Sequence, residues 1–224
     1  MLITIDNLLD QQTLKTAREM LDNADFIDGK LSAGKEAKSV KNNEELSLQS
    51  PLHQKLNQLV MGSLVQNKKF QTAALPLKLA TAFYARYTSG MTYGYHVDDP
   101  IMGPMSGRYR TDISVTVFLS DKSEYEGGEI IIKTEFGDHK VKLSAGSAVV
   151  YPSRSLHRVA PVTKGVRLVA VTWAQSLVKS NEQRELLYDL SIARDKLIAE
   201  MPQSDETGRV SRAYANLLRM WSEV

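Results

Sequence analysis

From about residue 78 to 176 the chain runs in short stretches of period-two alternation, separated by Gly, Pro, Asp and Ser, with no helical repeat among them. Ile113, Val115, Val117 and Leu119 alternate with Ser114, Thr116 and Phe118. Successive side chains of a strand point to opposite faces, so this pattern gives one strongly apolar face that only a second layer can cover. Gly127-Gly128 precedes the apolar run Ile130 to Ile132, Gly137-Asp138 reads as a turn, and two more strands are predicted at 148–151 and 166–173. Several strands without intervening helices favour antiparallel pairing in a sandwich or barrel.

Helical periodicity lies on either side. Leu14, Ala17 and Leu21 predict a helix near residues 10–24, and Ser50 as cap with Pro51 in the first turn opens a second, carrying Leu52, Leu56, Leu59 and Val60 on one face. Between them FIDGKLSAGKEAKSVKNNEE spreads Lys30, Lys35, Lys38 and Lys41 among Gly, Ser and Asn without a periodic apolar face. It reads as a long exposed connection, and residues 28–47 as a candidate lid. Beyond Trp173, Ser180 with Gln183 forms a capping box for a helix carrying Leu186, Leu187, Leu190, Ala193, Leu197 and Ile198; residues 202–208 break it, and a last helix carries Tyr214, Leu217, Leu218 and Trp221. The expected fold is mainly β with flanking helices (α+β). An N-terminal strand and bracing helices occupy 1–77, the β core 78–176 and a C-terminal helical segment 177–224.

Composition removes several chemistries. No cysteine occurs, so disulfides, thiolate metal sites and cysteine nucleophiles are out, and any metal must sit on His, Asp or Glu. The net charge of +2 is too weak a field to gather nucleic acid unaided, so a nucleic-acid substrate is not expected. Neither a basic start followed by an apolar run nor 18 consecutive apolar residues occurs, which predicts a cytoplasmic protein with no membrane partner.

Of four histidines, two stand where predicted strands meet turns, His96 in YGYHVDDP and His157 in PSRSLHRV. In extended backbone residues i and i+2 share a face, so His96 and Asp98 can converge while Val97 and Asp99 turn away. A second imidazole from a distant strand completes two nitrogens and a carboxylate on one side of a metal, leaving positions free for a bidentate co-substrate and dioxygen, a set that suits Fe(II). A His-x-Asp arises by chance in roughly one such chain in five, so the motif alone is weak. Ten residues after His157, however, Arg167 interrupts the apolar strand GVRLVAVTW. A permanently charged guanidinium in a β core calls for a carboxylate, which its planar fork matches bidentately. His139, in GDHK, and His53, in the first turn of a helix, read as structural. Arg86, Tyr93, Arg110 and Arg154 are candidates to line a substrate channel, each more often a packing or surface residue.

RYTSGMTYGYHVD, RTDISVTVFLSD, YEGGEIII and LSAGSAVVYPSRSLHRVAPVTKGVRLVAVTW together strongly resemble the bacterial PKHD-type hydroxylases, relatives of the prolyl 4-hydroxylases. The resemblance extends over nearly the whole chain, from MLITIDNLLD and FIDGKLSAG to the helices after TWAQSLV. It implies a double-stranded β-helix (jelly-roll) that uses Fe(2+), 2-oxoglutarate and dioxygen to hydroxylate a C–H bond of peptidyl proline or a small molecule, with succinate and CO2 released. It implies that His96, Asp98 and His157 bind iron, that Arg167 binds the 5-carboxylate of 2-oxoglutarate, that Tyr87 assists it, and that L-ascorbate is the customary reductant. The segment DDPIMGPMSG after the metal motif departs from the family, where many members carry an Asn-Ala-containing stretch, so substrate preference is where divergence is expected. A nucleic-acid demethylase on the same fold and a non-catalytic module binding iron or 2-oxoglutarate are the alternative readings. The apolar C-terminal helices offer a surface for a homodimer.

Overall fold

The computed structural model describes residues 1–223 and is built on two facing antiparallel sheets. The major sheet runs in the order Ile3–Ile5, Ala148–Pro152, Ile113–Phe118, Arg167–Ser176, Phe83–Tyr87, Glu44–Leu46 and Phe26–Asp28, with Pro76–Leu79 also pairing to Arg167–Ser176. The minor sheet runs Gly137–Val141, Ile130–Thr134, His157–Val159, Thr92–His96 and Lys41–Asn42. These facing sheets form the jelly-roll.

All six residues of Ile113–Phe118 are buried, not only one face of it. Its apolar set, Ile113, Val115 and Val117, packs beneath helices Gln11–Asp22, Leu52–Gln66 and Lys68–Ala74, joining Ala17, Leu21, Leu56, Val60, Leu64 and Phe70. Its other face, Ser114, Thr116 and Phe118, turns inward between the sheets, where Phe118 meets Val149, Val169, Ile130 and Val159. Helices thus brace the major sheet from outside and leave the space between the sheets for the site.

The helix starts follow their capping chemistry. Asp10 accepts from the backbone N–H of Thr13 at 2.7 Å and Ser180 Oγ accepts from Gln183 N at 3.2 Å, whereas Leu52–Gln66 starts after Pro51 with no side-chain cap, Ser50 Oγ only accepting from Leu52 N at 3.3 Å. The last helix, Asp205–Trp221, begins inside the predicted break: Ser204 caps it by accepting from Thr207 N at 3.2 Å, so the break is about one turn shorter than the sequence suggested. Helices Asn181–Glu200 and Asp205–Trp221 pack on Leu75 and Val178 through Leu187, Tyr214, Leu217, Leu218 and Trp221, while Leu186 and Ile198 stay exposed.

The expected exposed connection is different. Phe26–Asp28, Lys41–Asn42 and Glu44–Leu46 are strands, and the segment crosses from the minor sheet to the major one at Asn43. Lys41 and Glu45 are buried and ion-paired with each other, and Ser32 Oγ donates to Glu45 Oε2 at 2.6 Å. Strands of two or three residues whose partners are distant carry no local periodicity, which is why the sequence reads as loop. No helix among the described residues is long and apolar enough to cross a membrane.

Candidate metal centre and co-substrate cavity

His96 ends the strand Thr92–His96, and His157 opens the strand His157–Val159 paired beside it; the two histidines are opposite each other in register. Their rings stand 4.3 Å apart between centroids. His96 Nδ1 lies 2.8 Å from the carbonyl of Gly94, and His157 Nδ1 lies 2.9 Å from that of Ser155. A ring nitrogen facing a carbonyl must be the protonated one, so both Nε2 atoms are left with lone pairs. Burial first, and then the neighbouring His157, hold His96 well below the usual imidazole range, which keeps it uncharged at neutral pH.

Asp98, two residues past His96, turns Oδ1 to the same point, 3.7 Å from His96 Nε2 and 3.9 Å from His157 Nε2. One donor atom from each of the three lies within 4.8 Å of the others, within reach of a single ion. Asp99 does not join them: its carboxylate lies against Gly34, where a Cβ would come within 2.6 Å of Oδ2. The outer oxygen of Asp98 accepts from Ser114 Oγ, which is 2.7 Å from Ser153 Oγ. In the sequence Ser114 is only the polar half of an alternation, and Thr116 two residues on carries a hydroxyl as well, so no local signal singles it out. Ser114→Ala is expected to weaken Mn(II) or Fe(II) binding about 10–100-fold by releasing the carboxylate, measured by metal titration at unchanged melting temperature.

Further down the same cavity, on the strand Arg167–Ser176, Arg167 is 1% exposed, yet its Nε and Nη1 have no hydrogen-bond partner. It forms no ion pair among the described residues and lies over the rings of Tyr87, at 4.9 Å, and Phe118, at 5.7 Å. Tyr87 is its register partner on Phe83–Tyr87. Burial pushes the Tyr87 phenol up to about 12, so it remains a donor at neutral pH. Gly127, which ends the strand Tyr125–Gly127, and Gly128 both take positive φ, and a Cβ at Gly128 would press to 3.0 Å from Arg167 Cδ, so glycine there makes room for the guanidinium.

Of the four candidate channel residues, Tyr93 lines this cavity, stacked on His96 at 3.6 Å. Arg86 pairs with Glu44 and covers Phe26, Arg110 pairs with Asp112 and Glu223, and Arg154 meets Glu182 at the surface. His53 is buried with Nδ1 2.7 Å from Asn57 Nδ2, and His139 is exposed, on the strand Gly137–Val141 rather than in a turn. Ser32, Ala33, Gly34 and Ala37 from the N-terminal segment, Val97 between the two motif residues, and Met102 from the divergent segment also line the cavity.

Residues 82–175 match the 2OG-Fe(II) oxygenase superfamily and residues 181–223 the PKHD-type hydroxylase C-terminal domain. A PKHD-type hydroxylase of Thioalkalivibrio sulfidiphilus is 52% identical over 224 residues, covering 100% of both chains. The chain belongs to the PKHD-type hydroxylases. A second member, from Acaryochloris marina, is 44% identical over the full length of both chains. Solved structures share the fold at low identity: a Pseudomonas putida prolyl-4-hydroxylase (TM-score 0.52, 17% identical, 78% of this chain and 92% of that one), and a Trichoplax adhaerens prolyl hydroxylase complexed with a hypoxia inducible factor peptide fragment (TM-score 0.56, 16%, 83% and 86%). This PKHD-type hydroxylase is therefore an Fe(II)- and 2-oxoglutarate-dependent dioxygenase. Its cavity fits both groups: two imidazoles and a carboxylate suit a ferrous ion, and a buried guanidinium with unpaired nitrogens suits the far end of a dicarboxylate.

Proposed function

We propose that His96, Asp98 and His157 hold the iron, that Arg167 receives the 5-carboxylate of 2-oxoglutarate with Tyr87 beside it, and that the substrate is peptidyl proline. The observation that carries this reading is a three-donor cluster and an unpaired buried guanidinium on the walls of one cavity. When bound, iron and 2-oxoglutarate supply oxidative decarboxylation coupled to hydroxylation of a substrate C–H bond, with succinate and CO2 released.

The chain's own residues bind, orient and exclude water. The carbonyls of Gly94 and Ser155 fix the imidazole tautomers, Ser114 fixes the carboxylate, and Arg167 supplies the charge that neutralises the distal carboxylate. Ile130, Val159 and Val171 make much of the wall apolar, which keeps bulk water from the reacting centre. Support for a prolyl substrate is the resemblance to prolyl hydroxylases, two of which share this fold. L-ascorbate as reductant and a cytoplasmic location are further parts of this proposal, and a homodimer through the C-terminal helices would use their exposed Leu186, Ile192 and Ile198.

Incubation with Fe(II), 2-oxoglutarate, oxygen and proline-containing peptides is expected to give succinate and hydroxyproline in equal amounts, read by mass spectrometry. Succinate formed at the same rate without peptide, and no +16 product on any peptide, would remove peptidyl proline as the substrate.

A further inference from the structure

Arg167 is not the only side chain kept polar and unpaired in this cavity. Asn43 is 3% exposed, neither its Nδ2 nor its Oδ1 makes a well-formed hydrogen bond although the Tyr87 hydroxyl stands beside it, and it lines the same space. Buried carboxamides are seldom left with neither end bonded, so a site that holds one in this state is built for a guest.

Register gives its position. Glu44 pairs with Arg86 and Glu45 with Ala85 in an antiparallel ladder, so one further step brings Asn43 to the level of Tyr87, which is itself opposite Arg167. Asn43 stands where the chain leaves the minor sheet, at Asn42, for the major one, at Glu44. Its back is closed: the Gly29 N–H donates to the Asn43 carbonyl at 2.9 Å, and a Cβ on Gly29 would come within 2.0 Å of Asn43 Oδ1. Glycine there lets the carboxamide lie flat against the backbone, with the cavity on its other side.

We propose that Asn43 is a further anchor for 2-oxoglutarate, its amide N–H donating to the distal carboxylate beside Arg167 while Oδ1 accepts the Tyr87 hydroxyl. This rests on the co-substrate reading of the cavity given above. Asn43 lies outside residues 82–175, so the jelly-roll core alone does not hold the full cradle. The short strands from Phe26 to Leu46 then have a role in the chemistry: they deliver one of the groups that recognise the co-substrate.

The test is calorimetric titration of 2-oxoglutarate into Mn(II)-loaded wild type, Asn43→Ala and Asn43→Asp, with Mn(II) affinity and melting temperature measured separately. Loss of one charge-assisted hydrogen bond should weaken 2-oxoglutarate about tenfold in the alanine variant. Asn43→Asp keeps the shape and sets a like charge against the carboxylate, so about 100-fold is expected, with Mn(II) affinity held within about twofold. Wild-type 2-oxoglutarate affinity in the aspartate variant, or 2-oxoglutarate and Mn(II) affinities falling together, overturns the assignment and makes Asn43 structural. A wild-type protein that takes up no 2-oxoglutarate fails earlier, at the co-substrate reading itself.

Discussion

His157→Ala is expected to abolish iron-dependent succinate formation and to weaken Fe(II) or Mn(II) binding by more than about 100-fold. The magnitude follows from comparison: losing a group that merely orients a ligand typically costs 10–100-fold, and losing the ligand itself costs more. His157 is 5% exposed, and its Nε2 is aimed at the same point as Asp98 Oδ1 and His96 Nε2. Alanine leaves two donors, one nitrogen and one oxygen, which cannot define a face of an ion. The fold should survive, because the backbone pairing of residue 157 with Ile132 and His96 does not use the side chain, and the Ser155 carbonyl loses one hydrogen bond worth about 1 kcal/mol. Circular dichroism and metal titration on the same sample separate the two effects. Retained iron binding and decarboxylation in the variant would show that the ligands are misassigned. Intact metal and 2-oxoglutarate binding in wild type without succinate would instead favour a binding module.

What the sequence made legible was whatever depends on local spacing. His96 and Asp98 share a face because two residues of extended chain repeat the side-chain direction, whereas their meeting with His157 comes from the pairing of Thr92–His96 with His157–Val159. Arg167 was conspicuous because a charge in GVRLVAVTW breaks an apolar run. What stayed hidden depends on distant pairing. Lys41, Asn43 and Glu45 sit in a stretch with the composition of a loop, and are buried only because Thr92–His96 and Phe83–Tyr87 offer them edges to pair with. Ser114 shows its significance only once Asp98 arrives from the segment that follows the strand Thr92–His96. Arg86, Arg110 and Arg154 looked equivalent to Tyr93 as candidates, and acidic partners far away in sequence decided otherwise. Period and charge along one strand are thus readable, whereas register between strands is set by the assembled sheets.

Arg167→Met should raise the 2-oxoglutarate requirement by roughly 100–1000-fold, since truncating one partner of a buried charge pair costs about 2–5 kcal/mol. The same substitution should leave the protein without metal and co-substrate no less stable, and by about 1–2 kcal/mol more so. A buried guanidinium with Nε and Nη1 unpaired carries a desolvation penalty of several kcal/mol, against which the ring contacts to Tyr87 and Phe118 return about 1–2 kcal/mol. Methionine keeps most of the volume and removes the penalty. The opposite signs matter, because a structural arginine gives a different pair of results: lower stability in urea titration, with the Michaelis constant for 2-oxoglutarate unmoved. That pair would detach Arg167 from the co-substrate. The expected pair would mean that the chain accepts a poorly solvated charge in its folded state so that the incoming dicarboxylate can complete it, and that wild type gains more stability from saturating 2-oxoglutarate than the variant does.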